Sequence, residues 1–355
     1  MTLRLPQMPS ADDGWRLLTR ENTAVRRLWP WSHSIQKLID LTEPRPRGSA
    51  NLLISSDYGG EHPGATHNIY CYLVIRGGAG AWASAIREAR RTFLPTGRVM
   101  AYKRLDDPHR QAALASYLQA AANLDGHLVA IAVDKRKKWL STFEGRGGGI
   151  RKLVGLKANW NTRACEAMMR KVHFAAILLS IWSRPYSNVK WITDRDEFVQ
   201  NDTRHDDALL AVARMSSLYM RHPIGEFRLN TTGQLSESAE FEDLCSIPDL
   251  AAGMLSDVAT RLATDEDWRI GFEGPIKMPL PLKAEIISDW FWDQTTRLRK
   301  TMISIDVRGA QYSVHKMFMR DGGVIDGTEY GPDNMGGEGP SLDMGTVGHG
   351  WPQPD

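Results

Sequence analysis

The 355-residue sequence is poor in cysteine, has no long apolar run and carries almost no net charge, and each shortage removes a class of protein. Cys71, Cys165 and Cys245 are odd in number, far apart and without a CxxC pair. Neither a disulfide framework nor a thiolate zinc site is expected, and a reducing, cytoplasmic setting fits. No stretch of about 18 apolar residues marks a membrane span. The segment Met1–Trp15 places Pro6, Pro9, Asp12 and Asp13 where a secretory leader needs its apolar core. With 44 Lys+Arg against 42 Asp+Glu the formal net charge is +2, so a nucleic-acid partner can be signalled only by local clustering. Also missing are a Gly-x-Ser-x-Gly elbow, a His-Glu-x-x-His helix and the Gly-Lys-Ser/Thr ending of a phosphate loop. His62, His67, His109, His127, His173, His205 and His222 are dispersed, and His205 with Asp206 and Asp207 reads as the acidic start of a helix.

What remains is a chain 42% apolar and 24% charged, enough to build a sizeable core. Residues 1–48 read as an N-terminal arm closed by the Pro44-Arg-Pro-Arg-Gly48 linker. Asn51–Asp57 and His67–Ile75 alternate as a strand pair, and Trp82–Phe93 has helical spacing. Arg98–Lys103 is a third strand candidate, and Asp107-Pro108 opens a helix to Leu124. His127–Asp134 is nearly continuous apolar sequence, the pattern of a strand buried on both faces. A long helix over 161–182, a strand Val189–Asp194, a helix from Asp206 to Met220 and a helix Ile247–Leu262 with Pro248 in its first turn follow. Leu282–Arg299 reads as a helix, and Met302–Val307 with Gln311–Phe318 as a hairpin, so residues 263–320 form a C-terminal packing module and a possible oligomer contact. Residues 321–355 are rich in glycine and acids and read as a flexible tail.

The chemistry lies in the acids. Asp57, Asp134 and Asp194 each end an apolar strand, and Asp249 opens a helix. In open sheets ligand sites lie beyond such strand ends. Carboxylates held close together repel unless a cation offsets them, so their convergence suits Mg²⁺ or Mn²⁺ and the hydrolysis of phosphodiester bonds. Singly, each Asp has an ordinary reading as a turn former or cap. Asp196 is a spare ligand, Glu197 a helix cap, and Glu240, Glu242 and Asp243 a solvated acidic stretch.

The order of these motifs resembles a bacterial family with a ribonuclease H-like fold, often encoded near mobile elements. Its members carry strands ending in Asp-Glu-Ser-Gly, Asp-Lys and Asp-Glu, then a helix beginning Ala-Asp-Leu. The counterparts here are Ser56-Asp57-Tyr58-Gly59-Gly60, Val133-Asp134-Lys135, Thr193-Asp194-Arg195-Asp196-Glu197 and Ile247-Pro248-Asp249-Leu250. The resemblance implies a ribonuclease H-like mixed sheet flanked by helices over 49–262, with an N-terminal arm and a C-terminal α+β extension. It also implies a metal-dependent nuclease in which Asp57, Asp194 and Asp249 hold the ions and Asp134 assists. The departure is Tyr58, where the family has Glu.

A nucleic-acid track is expected beside these acids. From Lys135 to Lys171 eleven bases face two acids, a local balance of +9, interleaved with Trp139, Phe143 and Trp160. Lys135, Arg136, Lys137, Lys138, Arg151 and Lys152, with Lys103 at the end of the third strand candidate, are the expected substrate contacts. In the plainer alternative the tryptophans anchor the loop and the lysines only solvate it. At the level of the whole protein, the rival to a DNA or RNA nuclease is a non-catalytic nucleic-acid-binding or scaffold protein that has kept the fold.

Overall fold

The computed structural model describes residues 31–42, 51–76, 79–140, 151, 154–194, 199, 201–220, 222–232, 239–264, 280–308, 311–320 and 323–329. Asp196, Glu197, Phe143, Lys152, the glycine run 147–149, residues 1–30 and residues 330–355 lie outside them. In chain order the elements are α1 (Trp31–Thr42), β1 (Leu52–Gly59), β2 (His67–Ile75), α2 (Gly80–Phe93), a 3₁₀ turn (Tyr102–Arg104), α3 (Pro108–Ala122) and β3 (Gly126–Asp134). Next come α4 (Thr162–Trp182), β4 (Val189–Thr193), α5 (Asp202–Tyr219), β5 (Phe227–Thr231), α6 (Ala239–Thr264), α7 (Leu282–Trp292), β6 (Arg299–Arg308), β7 (Gln311–Arg320) and β8 (Gly323–Glu329).

All eight strands join one mixed sheet in the order β5-β4-β1-β2-β3-β6-β7-β8. β1, β2 and β3 form an antiparallel meander, β4 and β5 add in parallel beside β1, and β6 adds in parallel beside β3. Strand periodicity of two assigns the side chains to faces. Leu52, Ile54, Tyr72, Val129, Ile131 and Trp191 point to the layer of α1, α4 and α5. Cys71, Leu73, Leu128, Ala130 and Met302 point to the layer of α2, α3, α6 and α7. All nine residues of β3 are buried, as its continuous apolar sequence requires of a strand covered on both faces. The protein is thus α/β, a mixed sheet with helices on both sides. None of its described helices is long and apolar enough to cross a membrane.

Several expectations are corrected. Within the expected arm, α1 buries Trp31, Ile35, Leu38 and Ile39, so this stretch is part of the core. Arg98–Lys103 is not a strand: Tyr102–Arg104 makes one 3₁₀ turn. The sheet continues through β6, β7 and β8, so part of the expected packing module shares the main hydrogen-bond ladder, and β8 occupies sequence read as tail.

The largest correction concerns α6, a 26-residue helix that starts at Ala239 and holds Pro248 in its interior. Proline at the first turn is cheap, which is what the sequence suggested; in the interior it removes a hydrogen bond and crowds the carbonyl four residues back. Tertiary anchoring outweighs that cost. Asp243, read as a solvated acid, is fully buried and accepts hydrogen bonds from Arg90 Nε (2.5 Å) and Nη2 (2.6 Å), and from the Tyr117 hydroxyl. This ion pair ties α6 to α2 and α3. Deleting one partner of a buried pair strands the other charge, so Asp243→Ala is expected to lower unfolding stability by about 3–5 kcal/mol. Arg87→Ala, at the exposed Arg87–Glu240 pair, is expected to cost under about 1 kcal/mol. Urea unfolding monitored by tryptophan fluorescence checks the contrast.

Candidate functional site

Asp57 lies on β1 next to Ser56, whose Cα partner on β4 is Thr193, so Asp57 and Asp194 are the next positions on adjacent parallel strands. Leu53 packs toward the α6 layer, so by alternation Ser55 and Asp57 point there too. Helix α6 crosses this strand end at very close range. A Cβ on Gly59 would stand 2.7 Å from the Ala252 carbonyl oxygen, and one on Gly253 would stand 2.2 Å from the Tyr102 ring. Only glycine lets the helix, the strand and the 3₁₀ turn meet so closely. The approach carries Asp249 to the Tyr102 amide, which donates to its Oδ2 at 2.7 Å. One turn earlier, Ser55 Oγ donates to Cys245 Sγ at 3.3 Å.

The electrostatics register the convergence. Asp249 is pushed up to about 6, first by burial and also by the charge of Asp194, against the lowering effects of the Tyr102 amide and Lys103. Burial raises the Cys71 thiol, and so do the charges of Asp57 and Asp249. Cys245 is pushed up to about 12, first by burial and then, among other neighbours, by Asp57 and Asp194. Three carboxylates from β1, the end of β4 and α6 therefore share one electrostatic neighbourhood. Asp194 is exposed and also accepts from Thr232 Oγ1 at 3.1 Å. Lys103 is exposed on the 3₁₀ turn, its charge felt by Asp249.

Tyr58, the departure from the family motif, faces the opposite layer. Its ring packs against Tyr70 and Tyr72, with the Lys171 ammonium 4.0 Å from its centroid. An acid at this position would point away from Asp57, so tyrosine takes no carboxylate from the Asp57 side.

Asp134 does not belong with the other three. It pairs with His67, whereas Asp57 pairs with Cys71 four residues further along β2. At 3.3–3.4 Å per residue this offset is about 13 Å along the strand, too far to share ions about 4 Å apart. Asp134 instead forms a second cluster. His67, Asp134 and Asp306 each offer a ligand atom, all within 4.8 Å of one another, which makes them a group able to hold a metal ion. Among the described residues no other set of three His, Cys, Asp or Glu side chains closes so tightly, so the Asp57 set is looser than a ready-made cage. Asp306 accepts from His67 Nε2 at 2.7 Å and from His315 Nε2 at 2.6 Å, and those histidines hold its carboxyl well below the usual range despite burial. Burial likewise opposes ionisation of Asp134, but hydrogen bonds from Arg136 outweigh it and lower its pKa.

The expected substrate bases are only partly available. Arg136 grips Asp134 through Nε (2.9 Å) and Nη2 (2.6 Å), and Lys135 Nζ donates to the His62 carbonyl at 2.5 Å. The Lys137 ammonium sits 5.1 Å from the Tyr312 ring centroid, and Lys138 is exposed. Arg151 donates to the carbonyls of Ala158 (3.1 Å) and Trp160 (3.4 Å). Trp160 is buried and donates to Asp207, while Arg170 pairs with Glu166 in the interior. Trp160 thus anchors the loop in the way the plainer reading supposed. His205, on α5, contacts the Leu229 carbonyl on β5 and stands outside both clusters.

His67 was visible in the sequence only as one scattered histidine, and Asp306 and His315 were not singled out. The available signal was the alternation Ile303-Ser304-Ile305-Asp306, which puts an acid on the face opposite two buried isoleucines. Comparison with protein-family models, curated proteins and solved structures finds no match to this chain.

The raised pKa of Asp249 has a stability consequence in metal-free buffer. A carboxyl whose folded value lies above its unfolded value of 3.8 contributes stability that is full below pH 3.8 and is lost as pH rises through about 6. Wild-type protein is therefore expected to lose stability across that window relative to Asp249→Asn. Parallel denaturant titrations at pH 4, 5, 6 and 7 check the sign.

Proposed function

We propose that the protein is a metal-dependent nuclease that hydrolyses phosphodiester bonds of DNA or RNA at Asp57, Asp194 and Asp249. The observation that carries this reading is the shared electrostatic neighbourhood of three carboxylates contributed by β1, the end of β4 and α6. An all-oxygen donor set of like charge suits a hard divalent cation, and the upward push on Asp249, due first to burial, includes a contribution from the Asp194 charge. The meander β1-β2-β3 continued beside β1 by parallel β4 and β5 accords with the ribonuclease H-like resemblance.

In this reading Mg²⁺ or Mn²⁺, when bound, lowers the pKa of the attacking water and stabilises charge on the leaving oxygen. Asp57 and Asp194 would hold it from neighbouring strand ends. Asp249 would ligate as the carboxylate, so its proton must leave first, and the Tyr102 amide fixes its orientation. Lys103, exposed and near enough for its charge to act on Asp249, would meet a phosphate oxygen of the substrate. Asp134 takes no part in this step.

Purified protein is expected to cleave a mixed panel of single- and double-stranded DNA and RNA with Mn²⁺ or Mg²⁺ and not with EDTA. Asp57→Asn and Asp249→Asn should lower the rate by at least about a hundredfold with unchanged far-UV circular dichroism. Salt-sensitive binding of nucleic acid without cleavage or metal uptake would replace this reading with the non-catalytic one.

A further inference from the structure

We propose that His67, Asp134 and Asp306 form a second metal centre, built for a borderline divalent ion such as Zn²⁺ and independent of the nuclease reading. The residues come from β2, β3 and β6, where strand pairing sets His67 opposite Asp134 and Ile305 opposite Val133, leaving Asp134 and Asp306 as neighbours. One imidazole and two carboxylates select Zn²⁺ or Co²⁺ over Mg²⁺, because imidazole is a poor ligand for the hard ion.

The surroundings of His67 suit a ligand. Its Nε2 stands 2.7 Å from Asp306 Oδ1, and a metal ion bound there would replace the proton of that hydrogen bond. The ring proton would then sit on Nδ1, where Thr66 Oγ1, 2.9 Å away, accepts it while donating to the Ala259 carbonyl at 3.2 Å. A ligating histidine whose other nitrogen donates to a fixed acceptor is the usual outer-shell arrangement of metal sites. His315 is a positioning residue: its Nε2 holds Asp306 Oδ2, leaving Oδ1 for the ion.

Arg136 supplies the positive charge on the Asp134 side. Its guanidinium is 66% exposed and can swing into solvent, while the Arg136 and Val307 amides, at 2.8 and 3.2 Å, keep Asp134 in place. The attraction of the guanidinium to the buried Asp134 opposes a metal ion, and its exposure lets it yield that place. The ion would clip β6, and with it the C-terminal extension, to the meander.

The test is titration of the full-length chain with Zn²⁺ and Co²⁺ at pH 7.5, with metal counted after gel filtration. Wild type is expected to retain one Zn²⁺ more than His67→Gln or Asp306→Asn, and Asp57→Asn should keep that ion. The Co²⁺ form should show visible absorption that Zn²⁺ abolishes and excess Mg²⁺ does not. Arg136→Ala, altered only at an exposed side chain, should bind Zn²⁺ about two- to fivefold more tightly. Equal Zn²⁺ retention by wild type and His67→Gln, no Co²⁺ absorption, or unchanged affinity in Arg136→Ala would overturn the proposal in favour of a metal-free hydrogen-bonded cluster. The nuclease reading would be untouched by that outcome.

Discussion

Everything proposed for the Asp57 site depends on how closely α6 approaches the end of β1. The contact is backbone against backbone at Gly59 and Ala252, and backbone against ring at Gly253 and Tyr102. It fixes the depth of Asp249, brings the Tyr102 amide to its carboxylate, and lays Lys103 along the same edge. The buried Arg90–Asp243 pair and the Ser55–Cys245 contact anchor the preceding turns of the helix, which helps a proline to be carried in its interior. A helix displaced by one methyl group would leave Asp57 and Asp194 as two ordinary acids at strand ends.

The two clusters illustrate opposite solutions to carboxylate burial. Around Asp306 and Asp134, hydrogen-bond donors from His67, His315, Arg136 and backbone amides lower the pKa of both acids despite burial. Around Asp249 there is one amide and a solvent-exposed lysine, and the acid is left with a raised pKa. The Asp249 arrangement is the less compensated of the two, and acids left with a raised pKa beside other carboxylates are where a hard divalent cation gains most.

Much of the scaffold was legible because its strands are apolar runs of the right length: Asn51–Asp57, His67–Ile75, His127–Asp134 and Val189–Asp194 all fall on observed strands. The cap at Asp107 with Pro108 behind it was also readable, since the capping bond to the His109 amide is local. Long-range facts were not. Asp243 reads as a surface acid, and its burial is made tolerable by distant partners, Arg90, 153 residues earlier, and the Tyr117 hydroxyl. The grouping of Asp134 with Asp57 failed because a strand-end position says nothing of how far each strand extends; β2 and β3 run four residues beyond the Asp57 level. Pro248 misled because a helix start and a tolerated interior proline look alike until the partners of the preceding turns are known.

The most direct test is the anomalous difference map of crystals soaked in Mn²⁺. The account predicts a peak within ligand distance of carboxylate oxygens from Asp57, Asp194 and Asp249 together, lost in Asp249→Asn. Ordered, fully ionised side chains at these three positions with no peak among them, in crystals that take up Mn²⁺ elsewhere, would contradict it.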